Sequence, residues 1–225
     1  MSNKNIFVAC DVSSQKEIID LLELIHNDIS GIKIGLQYIT RSSPQEIKEL
    51  SKFKKPIFYD GKFFDIKNTL VESIRSLKDL NVNYATVHLL NGLDALKAAN
   101  QAAQEININL LGVSVLTSFS DDDLNKLGFN NKVENQIERL IKIAIEAKLY
   151  GVICSPLEVK MIKRISPKLK CFTPGIRMED TNDDQKRTMS ANEAIKEGSD
   201  CLIIGRPITK GDPKENIKYI LSSID

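Results

Sequence analysis

Eight short runs of β-branched and apolar residues punctuate this 225-residue chain: Ile6–Cys10, Gly31–Gly35, Pro56–Tyr59, Tyr84–His88, Leu110–Val115, Tyr150–Cys154, Leu169–Phe172 and Cys201–Ile204. Each is nearly continuous in its apolar character rather than alternating, the mark of a strand buried on both faces. Between the runs lie segments with apolar residues spaced near 3.6, such as Ile18, Ile19, Leu22 and Ile25, or Ile137, Leu140, Ile141, Ala144 and Ile145. Strand and helix therefore alternate. Eight strands buried on both faces, each followed by a helix, predict a parallel (β/α)8 TIM barrel of α/β class, a single domain over residues 1–225. A doubly wound sheet is the competing architecture.

Active groups of such barrels collect where strands end at their C-terminal side. The polar residues of this chain fall there: Asp11 ends the first run, Lys33 interrupts the second, Asp60 and Lys62 follow the third, His88 lies late in the fourth, and Thr117 and Ser118 follow the fifth. Ser155 follows the sixth, Thr173 to Arg177 the seventh, and Gly205-Arg206 the eighth.

Composition narrows the class of partner. Lys plus Arg number 31 against 30 for Asp plus Glu, a net charge of +1, so no general affinity for nucleic acid or an anionic membrane is expected. Any phosphate affinity must be local. The first residues carry no signal-peptide core, and no run approaches the roughly 18 apolar residues of a membrane span. A cytoplasmic protein is expected. Cys10, Cys154, Cys171 and Cys201 have no metal-ligand spacing and read as buried reduced thiols.

The segment Asp60-Gly61-Lys62-Phe63-Phe64-Asp65-Ile66-Lys67-Asn68-Thr69 concentrates charge where a buried strand runs out. In extended backbone, residues two apart point the same way, so Asp60 and Lys62 share a face and Asp65 sits at the mouth of the next helix. Lys33 is an ionisable group inside an apolar strand, where desolvation is costly without a partner. Lys33, Asp60, Lys62 and Asp65 would together form an alternating chain of charge, each ammonium held by a carboxylate. Thr173-Pro174-Gly175-Ile176-Arg177 opens a long polar connection of the kind that forms lids, and with Gly205-Arg206 it occupies the usual phosphate position of these barrels. Thr117-Ser118 offers hydroxyls and amides suited to a planar amide or imide edge. His88, flanked by apolar residues, reads as a satisfied core histidine, and His26 carries no signal.

Taken in order, these elements resemble the orotidine 5′-phosphate decarboxylase family in its shorter bacterial form. The likeness rests on Asp11, on Lys33 in Gly-Ile-Lys-Ile-Gly, on Asp60-x-Lys62-x-x-Asp65-Ile-x-Asn68-Thr69, and on Val115-Leu116-Thr117-Ser118. It continues through Thr173-Pro174-Gly175-Ile176-Arg177, Asp184-Gln185-x-Arg187 and Ile204-Gly205-Arg206-Pro207-Ile208-Thr209. The resemblance implies a homodimeric barrel that converts orotidine 5′-monophosphate to uridine 5′-monophosphate and carbon dioxide, without cofactor or metal. It implies that Lys62 donates a proton to C6, that Asp60 lies beside the reacting carboxylate, and that Lys33 holds Asp60 and a ribose hydroxyl. Asp11 would bind the ribose, and Asp65 and Thr69, with Asn68 beside them, would reach the partner subunit's site. Thr117 and Ser118 would read the pyrimidine, while Pro174, Arg177, Gln185, Gly205 and Arg206 would hold the phosphate or its closing loop.

Phe64 and Lys67 depart from the family, which usually has histidine and proline there. The nearest rival within the superfamily is a sugar-phosphate enzyme, since 3-keto-L-gulonate 6-phosphate decarboxylases and hexulose-phosphate synthases carry a similar Asp-x-Lys-x-x-Asp segment, used with magnesium. Thr117-Ser118 and the Gln185 segment argue against it. A rival of another class is a silent nucleotide-binding barrel, which would bind uridine 5′-monophosphate without turnover.

Overall fold

A computed structural model describes residues 5–178 and 187–224. Eight parallel strands close into a barrel in sequence order: β1 Ile6–Cys10, β2 Gly31–Ile34, β3 Ile57–Phe63, β4 Tyr84–His88, β5 Asn109–Val113, β6 Gly151–Ile153, β7 Lys170–Thr173 and β8 Cys201–Ile204. The ring is completed by β1 pairing with β8 through Phe7 and Ile203. All eight expected runs are strands, and their closure into a ring excludes the doubly wound sheet.

A principal helix follows each strand, with further short α-helical segments after β2, β5 and β8: α1 Gln15–Ile25, α2 Pro44–Glu49, α3 Lys67–Arg75, α4 Leu93–Glu105, α5 Val133–Glu146, α6 Val159–Ile165, α7 Ala191–Lys196 and α8 Pro213–Ser223. Several starts are legible as local chemistry. Ser43 and Ser190 each accept the backbone N–H of the residue three on, while Glu46 and Glu193 return the bond, forming capping boxes. Pro44 and Pro213 sit in the first turn, where a missing N–H costs nothing. Among the described residues, no helix is long and apolar enough to cross a membrane. All four cysteines are buried free thiols.

Strand residues alternate between two cores. Ile6, Val8, Ile32, Ile34 and Ile57 pack outward against the helices, whereas Phe7, Phe58 and Phe172 fill the barrel, with Tyr84 packed against them. Phe7 meets Phe58, Phe172 and Tyr84 edge-on at centroid distances of 6.4, 6.0 and 5.6 Å. Gly31 makes room for this layer: a Cβ there would lie 2.2 Å from the Phe7 ring. Two residues further along β1, β3 and β4 stand Ala9, Asp60 and Thr86, so the filling changes from aromatic to polar within one step of the pleat. That change puts the charged residues on a rigid apolar floor.

Candidate active site

The charge cluster is assembled from the ends of three strands. Lys33, in β2, is buried and donates to Asp11 Oδ1 at 3.0 Å, with its Nζ 3.7 Å from Asp60 Oδ2. Lys62 donates to the same Asp60 Oδ2 at 2.8 Å. The order is therefore Asp11, Lys33, Asp60, Lys62, with anion and cation alternating. Burial favours the neutral forms, yet Asp60 and Asp11 hold the Lys33 ammonium above its ordinary pKa. Burial likewise disfavours the Asp60 carboxylate, but Lys33, Lys62 and the hydroxyl of Thr86 hold its carboxyl below the usual value. Lys62 is the more accessible of the two cations, its side chain 33 % accessible against 9 % for Lys33. A charged, solvent-reachable ammonium on a buried counter-ion is suited to stabilise an anion that develops above it.

Asp60 and Lys62 do meet, but not through simple strand alternation. The register between β3 and β4 steps from Tyr59↔Ala85 to Phe63↔Val87, so three residues of β3 bulge opposite Thr86. Lys62 has a left-handed φ of 47°. Its N–H leaves the ladder and donates to Thr86 Oγ1 at 2.8 Å, and the Thr86 hydroxyl donates to Asp60 Oδ1 at 3.0 Å. Gly61 at the apex fits under Tyr59, whose ring a Cβ would approach to 2.8 Å.

Asp65 corrects the expected four-membered network. Its carboxylate is exposed and accepts from Ile66 N–H at 2.7 Å, and Asp11 takes the end of the charge chain instead. Its own N–H donates to Asn91 Oδ1, while Asn91 Nδ2 donates to the carbonyls of Phe63 and His88. Asn68 and Thr69, in the first turn of α3, are also exposed. Phe64 is 62 % exposed with its ring 5.5 Å from His88, and Lys67 occupies the first position of α3 that a proline would favour. His88 is half-buried rather than a core residue; its Nδ1 accepts Leu90 N–H, and burial lowers its pKa.

The remaining expected groups lie on strand-end connections around the same mouth. Thr117 and Ser118 stand in the turn beyond β5, which ends at Val113 rather than at Val115. Gly175 has φ 82°, a conformation glycine adopts freely, after Pro174. Beyond it Ile176 bridges Met189, with Arg177 N–H donating to Met189 O and Met189 N–H to Gly175 O. Both ends of the long connection are thus stitched together. Gln185 lies outside the described residues. Gly205 sits against β1, where a Cβ would be 3.4 Å from Ala9 Cβ and 3.9 Å from Asp11 Oδ2; Arg206 follows, exposed. The Gly205 backbone and the Asp11 carboxylate are therefore neighbours.

Three residues escaped the sequence reading as site components. Thr86 resembles any β-branched strand residue. Arg187 stands in the sequence only as the last letter of a motif, and Glu158 carries no signal there. Arg187 ion-pairs with the buried Glu158 and donates to the carbonyls of Leu116 at 2.8 Å and Val115 at 3.4 Å. Glu158 Oε2 also accepts Ser155 N–H at 2.8 Å. The pair ties the connections after β5, β6 and β7 together.

A closed (β/α)8 barrel with a lysine–aspartate cluster at its C-terminal mouth has the architecture of the barrel enzymes, whose sites are built on the loops that follow the strands. The profile of the orotidine 5′-phosphate decarboxylase / HUMPS family matches residues 4–220. An orotidine 5′-phosphate decarboxylase of Wolbachia pipientis subsp. Culex pipiens is 37% identical over 221 residues, covering 97% of this chain and 98% of the relative. That of Dichelobacter nodosus is 36% identical over 229 residues, with both chains covered in full. The crystal structure of orotidine 5′-phosphate decarboxylase from Lactobacillus acidophilus superposes with a TM-score of 0.86 at 30% identity, covering 99% of each chain. The chain belongs to the orotidine 5′-phosphate decarboxylase / HUMPS family.

Proposed function

We propose that this chain decarboxylates orotidine 5′-monophosphate to uridine 5′-monophosphate and carbon dioxide, the last step of de novo pyrimidine nucleotide synthesis, in the cytoplasm. The observation that carries this reading is the alternating Asp11–Lys33–Asp60–Lys62 chain, with the accessible ammonium of Lys62 2.8 Å from the buried carboxylate of Asp60. Full-length similarity to decarboxylases of that name supports the substrate.

The bond between C6 and the carboxyl carbon breaks, carbon dioxide departs, and the electron pair left on C6 takes a proton from Lys62 Nζ. That pair lies in the ring plane and gains little from delocalisation, so an adjacent cation is the effective stabiliser. Asp60 keeps Lys62 in place and faces the substrate carboxylate. Two such charges about 4 Å apart repel by about 4 kcal/mol at an effective dielectric near 20, about a thousandfold in rate if relieved as carbon dioxide leaves. Lys33 fixes Asp60 and reaches the ribose, and Asp11 binds the ribose. Thr117 and Ser118 read the pyrimidine edge, whereas Pro174, Arg177, Gln185, Gly205 and Arg206 hold the phosphate. Binding energy spent there organises the reacting end.

A second copy of the chain completes the site. Phe64, Ile66 and Leu90 are 62, 74 and 41 % exposed around Asp65, an apolar rim that supports a homodimer placing Asp65 and Thr69, with Asn68, at the partner's site. One barrel domain spanning 1–225 carries the reaction, with no metal or cofactor. The test is a substrate panel in excess chelator. Turnover of orotidine 5′-monophosphate is expected, and activity confined to sugar phosphates with magnesium overturns the reading.

A further inference from the structure

Thr86 makes two side-chain bonds that tie β4 to the bulge of β3. It is fully buried in β4, and its hydroxyl both accepts the N–H of Lys62 and donates to the carboxylate of Asp60. The bulge takes the Lys62 N–H out of the regular β3–β4 ladder, so without Thr86 that donor loses its partner. An unpaired buried N–H is costly, and left-handed backbone at a lysine adds to the strain of the site. Among the described residues, every fully buried side-chain nitrogen and oxygen has a partner, and at the bulge Thr86 also supplies one to the backbone N–H of Lys62.

We infer that Thr86 is a positioning residue for decarboxylation: its hydroxyl locks the Asp60–Gly61–Lys62 bulge so that the Lys62 ammonium and the Asp60 carboxylate hold their places at the reacting carbon. The inference rests on the proposed reaction for its kinetic part alone. The hydroxyl bonds Oδ1 of Asp60, leaving Oδ2 for Lys62 and Lys33. Asp60 thus faces Lys33 from β2 and Lys62 from its own strand, with Asp11 beyond Lys33, and β4 presents the neutral hydroxyl. A methyl group in its place would leave both the N–H and one carboxylate oxygen without this partner.

Thr86→Val keeps the shape and removes the hydroxyl; Thr86→Ser keeps the hydroxyl and removes the methyl. In Thr86→Val, kcat is expected to fall at least about tenfold while the KM for orotidine 5′-monophosphate moves less than about threefold. The acid limb of kcat/KM should shift to higher pH, because the charged form of Asp60 loses a donor. Thr86→Ser should retain kcat within about threefold of the parent. Independently of any substrate, the Lys62 amide should exchange its hydrogen at least about tenfold faster in Thr86→Val than in the parent or Thr86→Ser. Thr86→Ala serves in the same assays if Thr86→Val fails to fold.

A Thr86→Val protein with parental kcat and parental exchange overturns the inference. So does a Thr86→Ser protein as impaired as Thr86→Val, which would assign the effect to packing of the methyl group. If the parent itself does not turn over orotidine 5′-monophosphate, the proposed reaction fails, and the exchange of the Lys62 amide still decides whether the hydroxyl braces the bulge.

Discussion

Lys62 holds its ammonium 2.8 Å from Asp60 Oδ2 while its own backbone, at φ 47°, is turned out of the strand that carries both residues. The side chains converge because the backbone between them bulges. Two residues of opposite charge separated by a glycine thus become one unit in which the buried member fixes the accessible one.

Removing Lys33 tests that unit from the buried side. Lys33→Met leaves Asp60 with a single cation, and a loss of about 3 kcal/mol in denaturant unfolding is expected, the usual cost of breaking a buried pair from one side. The pH dependence follows from the directions of the shifts. Asp60 is held below its ordinary 3.8, so its contribution is present above that value and is lost as pH falls through the lowered one. Lys33 is held above 10.5, so its contribution is present below that value and is lost as pH rises through the raised one. The difference between parent and variant should be flat between those limits. A difference under about 0.5 kcal/mol would mean the network adds no stability.

Glu158 behaves in the opposite sense. Burial, opposed by Arg187, pushes its carboxyl from 4.5 up to about 7. Between those two values the folded chain binds the extra proton, so this group makes stability fall as pH rises through the window. Against Glu158→Gln, the parent should lose up to about 3 kcal/mol from pH 4.5 to 7, at 1.36 kcal/mol for each pH step of the shift. Parallel stability curves for the two proteins would show that Arg187 keeps Glu158 ionised throughout.

Glycine at 35 is a spatial requirement of the site. A Cβ there would stand 2.6 Å from Asp11 Oδ1 and 3.2 Å from Lys33 Nζ. The Asp11 carboxylate is half-exposed and can swing away, so Gly35→Ala should cost little stability, under about 1 kcal/mol. Its expected effect is on binding: the affinity for uridine 5′-monophosphate, read by calorimetry, should fall at least about tenfold as the proposed Asp11–ribose contact is lost. Unchanged affinity would remove Asp11 from the ribose site.

Site sharing has a complementation test. Asp65→Ala and Lys62→Ala chains are each expected to be inactive, yet in the proposed homodimer a mixed pair would contain one site with both residues intact. After subunit exchange at equal concentrations, half the dimers are mixed with one good site each, so about a quarter of parental activity should return. No recovery after verified exchange would place Asp65 outside the partner's site.

The parallel strands were legible in the chain because strands buried on two faces must be continuously apolar, as Ile6–Cys10 and Cys201–Ile204 are, whereas closure of the ring rather than a doubly wound sheet is visible only in the pairing of β1 with β8. The charged strand ends were legible for the same reason: Lys33 and Asp60 stand out against that background. What spacing could not show is a change of register. Asp60 and Lys62 look like ordinary alternation, and only the pairing of Phe63 with Val87 reveals the bulge. Asp65 was drawn into the network by its proximity in sequence, whereas the bend at Asp65, whose carboxylate accepts Ile66 N–H, leaves it on the rim. Thr86 was hidden because threonine is a common strand former, and its hydroxyl acquires meaning only opposite the bulge. Arg187 and Glu158, 29 positions apart, meet only because the connections after β6 and β7 are neighbours around the ring.

The most direct test of Lys62 as the group that supplies charge and proton is the pyrimidine absorbance change of orotidine 5′-monophosphate in excess chelator, followed for the parent and for Lys62→Ala, with uridine 5′-monophosphate affinity measured alongside. Turnover by the parent, a loss of at least about ten-thousandfold in the variant, and retained binding of the product are expected. A folded Lys62→Ala protein that decarboxylates within about tenfold of the parent would contradict the assignment.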